Sequence, residues 1–307
     1  MKPLRRHGHI AYARRVQRAP LTALALALPL VVSSCDDAGP TKCSGHAELC
    51  DRSFDQVAFP ATHNSMANTD ENRAAANQTH NIARQLDDGI RGLMLDTHYV
   101  PTTPPTVMLC HGICFADDQT LEDGLGVIRR FLDSHPGEIV TIIFESYVSK
   151  EDTAAAFAAS GAMRYVYAHP LGTPWPTLRE MIDADHRLVV FTDSDATNGS
   201  DGFEWYMDQW AEGFQNPYAA KTAADFSCAV DRGSGSNPIF IMNHFLTDPV
   251  GMMSFAEMVN PYPVLSPHVT TCRTERARIP NFVTVDFYEV GDLFRVVDEL
   301  NGFGATP

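Results

Sequence analysis

Short apolar runs, rich in β-branched residues and each closing on a polar or ionisable side chain, recur along most of this 307-residue chain. They lie near residues 56–59, 92–95, 107–110, 139–144, 187–191, 239–242 and 282–285. Continuously apolar strands of this length suit a parallel sheet buried on both faces. Helix-forming stretches separate them at 77–88, 121–135, 150–160, 177–185, 203–211 and 252–259, with 292–300 after the last strand. Capping residues open one helix at Asp118-Gln119-Thr120-Leu121-Glu122, and His135-Pro136-Gly137 stops it. Some six to eight β/α units without a long linker predict an α/β fold. The expected form is a single TIM-type barrel over 53–303, regular or irregular, with its catalytic mouth at the carboxyl ends of the strands. An open doubly wound sheet is the competing architecture, but neither GxGxxG nor a P-loop comes after any early strand.

Reactive residues of parallel β/α folds sit just past the strands, so the residues immediately after each apolar run carry the functional reading. The first run leads into Pro60-Ala61-Thr62-His63-Asn64-Ser65, the second into Asp96-Thr97-His98, the third into His111-Gly112 and the fourth into Glu145-Ser146. The last two lead into Asn243-His244 and Asp286. Any one of these has a structural explanation as a hydrogen-bonded strand end. As a set they would gather ionisable groups at one mouth, which is costly unless they are used or paired.

The ordered motifs are Ala61-Thr62-His63-Asn64-Ser65, Gly89-Ile90-Arg91-Gly92-Leu93-Met94-Leu95-Asp96, Leu109-Cys110-His111 and Pro136-Gly137-Glu138-Ile139-Val140-Thr141-Ile142-Ile143. Trp175-Pro176-Thr177, Arg187-Leu188-Val189-Val190-Phe191-Thr192 and Pro280-Asn281-Phe282-Val283-Thr284-Val285-Asp286-Phe287-Tyr288 continue the series. Together they resemble the phosphoinositide-specific phospholipase C X-domain-like phosphodiesterases, above all their plant and bacterial extracellular branch, over roughly 54–302. The resemblance implies cleavage of a phosphodiester, in a phospholipid head group or a related molecule, by two histidines. His63 would take the proton from the attacking hydroxyl and His111 would protonate the departing alkoxide, a division that suits imidazole near neutral pH. Asp286 is the candidate for orienting His63.

Calcium-dependent relatives use the Asn after the first His, a Glu-x-Asp at the second strand and a Glu at the fourth. By that resemblance Asn64, Asp96 and Glu145 would hold a divalent cation, calcium by preference, although Met94 stands where a glutamate would be. Arg91 alternates out of phase with Met94 and Asp96 and faces away from them. Asp193, Asp195, Thr197, Gly199, Asp201 and Glu204 have an EF-hand-like spacing, with Asn198 where glycine is expected; a solvated acidic loop is the preferred reading. A glycerophosphodiesterase or sphingomyelinase D-like enzyme is the rival activity, and Met94 argues against both. A barrel that has lost catalysis and serves as a surface binding module is the reading from another class. His63 and His111 argue against it, since a binder needs no acid and base. Neither GxSxG nor HExxH occurs, and His80, His98 and His244 read as surface or core histidines.

The amino-terminal 34 residues stand apart. Lys2, Arg5, Arg6, Arg14, Arg15 and Arg18 precede an apolar run from Leu21 to Val32, and no acid occurs before Asp36. This is an export signal of a bacterial protein, too short for a permanent span. Its end, Val32-Ser33-Ser34-Cys35, resembles a lipobox, so Cys35 is the expected lipidation site, and 35–52 the tether of a membrane-anchored or secreted protein. Removing the six basic residues leaves 17 against 38 acidic ones, near −21, which disfavours nucleic acid and anionic bilayers as partners. Six further cysteines suit disulfides in an oxidising compartment. Proximity suggests Cys43 with Cys50, Cys110 with Cys114 and Cys228 with Cys272, one of about 15 possible pairings. A monomer is the default expectation.

Overall fold

The computed structural model describes residues 39–73, 75–115, 117–194 and 202–304. The export segment, Cys35, and Asp195, Thr197, Asn198, Gly199 and Asp201 lie outside them. In chain order come β1 (Phe59–Thr62), α1 (Ile82–Asp88), β2 (Gly92–Val100), β3 (Thr106–Leu109), β4 (Gln119–Thr120), α2 (Leu121–Ser134), β5 (Val140–Ser146) and α3 (Lys150–Ser160). Next are α4 (Leu178–Asp183), β6 (Leu188–Thr192), β7 (Tyr206–Asp208), α5 (Gln209–Glu212), β8 (Gly213–Gln215) and β9 (Arg232–Gly233). The chain closes with β10 (Ile239–Asn243), α6 (Met253–Val259), α7 (Tyr262–Arg276), β11 (Phe282–Val285) and α8 (Leu293–Leu300).

Eight strands run parallel in the order β7-β6-β5-β2-β1-β11-β10-β8. The sheet is an irregular TIM-like barrel: among the described residues no ladder joins β7 to β8, and the one-turn α5 lies between them in sequence. One strand reading and one helix reading change in kind. The run at 107–110 is β3, which pairs antiparallel with the outward extension of β2 and is not a barrel stave. The helix expected at 203–211 is instead β7 with α5 after it, and β8 comes next. The first strand lies three residues later than expected, and α7 is a helix that the sequence reading does not contain.

Alternation of side chains along the strands sorts the core into two layers. Phe59, Ala61, Ile143, Val189, Phe191, Met207, Ile239, Ile241 and Phe282 fill the barrel interior. Leu93, Leu95, Ile142, Phe144, Val190, Phe240, Met242, Val283 and Val285 pack outward against helix residues such as Leu125, Ile128, Phe157, Leu265 and Val296. Gly92 is required where staves crowd: a Cβ there would sit 2.7 Å from the Ala61 Cβ and 2.8 Å from Phe282. Helices begin where side chains satisfy their free N–H groups, Thr120 for α2, Ser149 for α3 and a Thr177–Glu180 capping box for α4.

Disulfides join Cys43 to Cys50, Cys110 to Cys114 and Cys228 to Cys272. Beside the last, His244 is fully buried; its Nε2 donates to the Val259 carbonyl at 2.9 Å, so its Nδ1 accepts from His268 Nδ1 at 2.8 Å. Burial, more than their mutual repulsion, pushes His244 down to about 3, and burial pushes His268 down to about 4. Both are therefore neutral in the fold and protonated more readily when unfolded. Their stabilisation is complete above about pH 6.5 and is lost as pH falls from there through the folded-state values. Thermal midpoints should drop steeply between pH 6 and pH 4, as stability falls by up to about 1.4 kcal/mol per pH unit for each proton taken up. Replacing both histidines with glutamine should flatten that slope in a denaturation series; an unchanged slope would refute the assignment.

Candidate active site

The period-two pattern that turns Ala61, Met94, Ile143, Phe191, Ile241 and Phe282 into the barrel carries the same face two residues further, or four on β11. It places His63, Asp96, Glu145, Asp193, Asn243 and Asp286 on the inner side at the carboxyl ends of β1, β2, β5, β6, β10 and β11. Asp96 and Glu145 are direct register partners. His63, Asn64, Met94, Asp96, Glu145, Asp193, Gln209, Gln215, Tyr218, Arg232, Asn243 and Phe245 line one cleft there.

His63 is held on every side. Its Nδ1 lies 2.9 Å from Asp286 Oδ1, and a carboxylate oxygen accepts, so Nδ1 carries the proton and Nε2 is left as the basic atom. The ring stacks on Phe245 with centroids 3.9 Å apart, and Gln78 Nε2 donates to the His63 carbonyl at 2.8 Å. Asp286 Oδ2 accepts from Asn77 Nδ2 at 3.1 Å, and Asn77 Oδ1 accepts from Asn64 Nδ2 at 3.1 Å. Asn64 takes a left-handed backbone, φ 45°, which asparagine tolerates, and its Oδ1 receives no hydrogen bond from the described residues.

Gly251 closes over this chain of amides. A Cβ there would fall 2.2 Å from Asp286 Oδ2 and 2.4 Å from Asn77 Nδ2. Gly251→Ala should therefore push Asp286 off His63 and lower turnover by on the order of tenfold or more, because small misplacement of a catalytic group is costly. Kinetics beside a thermal melt would check this: full turnover in the alanine variant would show that the loop simply moves aside.

The acids form the opposite wall. Asp96, 5% exposed, is pushed up to about 7 by burial first and then by the negative charge of Glu145, while His63 pulls it down. Burial also raises Asp193, which accepts from the Ser146 N–H at 2.9 Å and feels Glu145. Tyr147 donates to Glu145, which holds the phenol up to about 12. Arg232, on β9, is the cation in the cleft lining, with Tyr218 beneath its guanidinium at 4.9 Å.

His111 does not line this cleft. It lines the smaller neighbouring cavity with Arg73, Cys110, Ile113 and Phe115. The two histidines nonetheless sense each other: burial first, then repulsion from His63 when that ring is protonated, holds His111 below the usual imidazole range. The Cys110–Cys114 disulfide pins the loop that carries it, and that loop leaves Ile113 76% and Phe115 52% exposed beside the mouth.

The PI-PLC X domain family matches residues 49–301. This chain belongs to that family. It is 30% identical over 301 residues to PI-PLC X domain-containing protein 1 of Arthroderma benhamiae, covering 92% of this chain and 96% of that protein. A PI-PLC X domain-containing protein of Arabidopsis thaliana is 32% identical over 276 residues, 81% of this chain and 62% of that longer relative. A further Arthroderma benhamiae protein, described as secreted, is 28% identical over 288 residues, covering 84% of this chain and 64% of its own length. Among solved structures, the phosphatidylinositol-specific phospholipase C of Listeria monocytogenes superposes with a TM-score of 0.58 at 16% identity, covering 82% of this chain and 95% of that one. That likeness is one of fold. Fold and family together point to phosphodiesterase chemistry.

Within the family frame, the structure brings His63, Asn64, Asp96, Glu145 and Asp286 together and sets His111 beside them. Arg91 faces outward, bonded to Glu138 at 2.7 Å and packed over Phe131. Met94 lines the cleft and packs on the interior core. His244 is a core residue, and His98 stacks on Tyr147. Sequence reasoning missed Asn77, Gly251, Arg232 and Asp193 as parts of the site. Asp193 was within reach of it, since this acid stands just past the β6 run as His63 and Glu145 stand past theirs. Among the described residues no helix is long and apolar enough to cross a membrane.

Proposed function

We propose that this chain is an exported phosphodiesterase that cleaves a phospholipid head group or a related diester by paired acid/base catalysis. The observation that carries the reading is the His63–Asp286 pair, 2.9 Å apart, which leaves Nε2 free at the cleft, with His111 lining the neighbouring cavity. His63 Nε2 takes the proton of the attacking hydroxyl as the new O–P bond forms. His111 supplies a proton to the leaving oxygen as the old P–O bond breaks. Where the hydroxyl belongs to the substrate the product is a cyclic phosphate, and the protein forms no covalent bond.

Charge on the non-bridging oxygens calls for a cation. The donor set suits a hard one: Asn64 Oδ1 has no protein partner among the described residues, and Asp96, Glu145 and Asp193 repel one another in a partly buried wall. Those residues would hold a divalent ion, calcium by preference, which when bound would offset the phosphate charge. Arg232 complements it from β9. Ile113, Phe115, Tyr147 and Tyr218 are exposed on loops that leave the mouth, which supports contact with a lipid surface. With a mature charge near −21, a neutral or zwitterionic bilayer fits better than an anionic one. Lipidation of Cys35 would keep the chain at a membrane.

A panel of phosphatidylinositol, phosphatidylcholine and glycerophosphodiesters, assayed with calcium or with chelator, tests the reading. Product release that needs calcium and returns when calcium is restored is expected. A folded protein that turns over none of these diesters would shift the assignment to a binding module.

A further inference from the structure

At the end of the barrel opposite the mouth, where β1 and β11 begin, a cavity of about 560 Å³ is lined by Arg52, Gln56, Arg273, Thr274 and Arg278 together with the last residue of α8. Acidic side chains outnumber basic ones by 38 to 23 in this chain, yet none of these three arginines has a carboxylate within 4.0 Å among the described residues. Arg52 lies 5.6 Å over the Phe303 ring. Arg273 reaches only the Leu300 carbonyl at 3.3 Å, and Arg278 only the Ser236 carbonyl at 3.3 Å. The Nε of Arg278 is buried with no acceptor among the described residues. Nearby acids are engaged elsewhere: Asp55 accepts from Gln56, Glu275 lies against Arg276, and Glu299 takes Tyr262 and Arg295.

Helix dipoles account for part of this. Arg273 sits in the last turn of α7, where a cation offsets the negative end of the helix. Arg278 shares that end, its backbone N–H donating to the Arg273 carbonyl at 3.2 Å just past the cap, whereas Arg52 precedes β1 and lies on no α-helix. Three forked guanidinium groups facing one recess match the geometry of phosphate-type oxyanions, which accept paired N–H donors. The volume falls in the range of small-ligand pockets and exceeds what one orthophosphate fills.

We infer that this cavity binds a soluble multivalent oxyanion of the phosphate class, pyrophosphate or a phosphorylated small molecule, at a site separate from the catalytic mouth. Neither His63 nor any cation at the mouth takes part in this binding, which is independent of the proposed reaction. Because the site is a recess in an acidic protein, a free anion suits it better than the phosphates of an anionic bilayer.

Calorimetric titration of the exported chain with inorganic pyrophosphate, in calcium-free buffer, reads it directly. Saturable binding to one site is expected, weakening as sodium chloride rises. Arg273→Gln with Arg278→Gln should weaken it by about tenfold or more, the scale of lost charge-assisted bonds, while Arg232→Gln leaves it unchanged. Circular dichroism of the double variant checks folding; if it fails, Arg52→Gln alone should still weaken binding severalfold. No saturable binding, or binding lost in Arg232→Gln and kept in the double variant, would overturn the site. So would binding confined to vesicles containing phosphatidic acid, with none to pyrophosphate.

Discussion

Diester cleavage is expected to fall by at least about a hundredfold in His63→Ala and again in His111→Ala, with the fold intact in both. The two losses should not multiply, because in the proposed mechanism each removes one half of a single proton relay. Asp286→Asn separates orientation from chemistry. Asp286 accepts two hydrogen bonds, one from His63 Nδ1 and one from Asn77 Nδ2. An asparagine has one oxygen and one NH2, so it can accept from only one of them. If its amide faces the ring, His63 Nδ1 becomes the acceptor and Nε2 carries the proton, and the base is lost without loss of the imidazole. Steady-state kinetics should then show a reduced kcat at nearly constant KM. Activity retained in His63→Ala would remove the two-histidine mechanism whatever the substrate.

The strand ends are readable in the sequence because burial on both faces makes parallel strands conspicuous, and β/α geometry puts the next residues at one mouth; this finds His63, Asn64, Asp96, Glu145 and Asp286. The same logic fails at 203–211. Phe203, Tyr206, Met207 and Trp210 are spaced as on a helix face, yet Tyr206 packs outward and Met207 inward, as on a strand. A three-residue stave shows too little alternation to outweigh a helical spacing. Direction is equally invisible for β3: an apolar run reports burial, and only pairing with the extension of β2 makes it antiparallel. Arg232 sits on a two-residue strand whose place over the cleft depends on β8, and Gly251 matters for what a side chain would strike. Neither leaves a periodic trace.

The acidic wall gives the second large effect, and its sign depends on whether a cation is present. Asp96 is 5% exposed beside Glu145 and Asp193, and burial with these charges lifts it to about 7. An unpaired buried charge weakens the fold, so in chelator Asp96→Asn should melt at a higher temperature than the wild type. Calcium should reverse the order. An ion that binds the folded state alone stabilises it by about 2.7 kcal/mol at a hundred times its dissociation constant. The wild type should gain most of that, while the variant, lacking one of the carboxylates, gains little. Activity should track the calcium arm, falling on the order of a hundredfold in Asp96→Asn. Melting curves with and without calcium, run beside the diester assay, separate the possibilities. A variant that is more stable in both conditions and fully active would mean that Asp96 holds no ion.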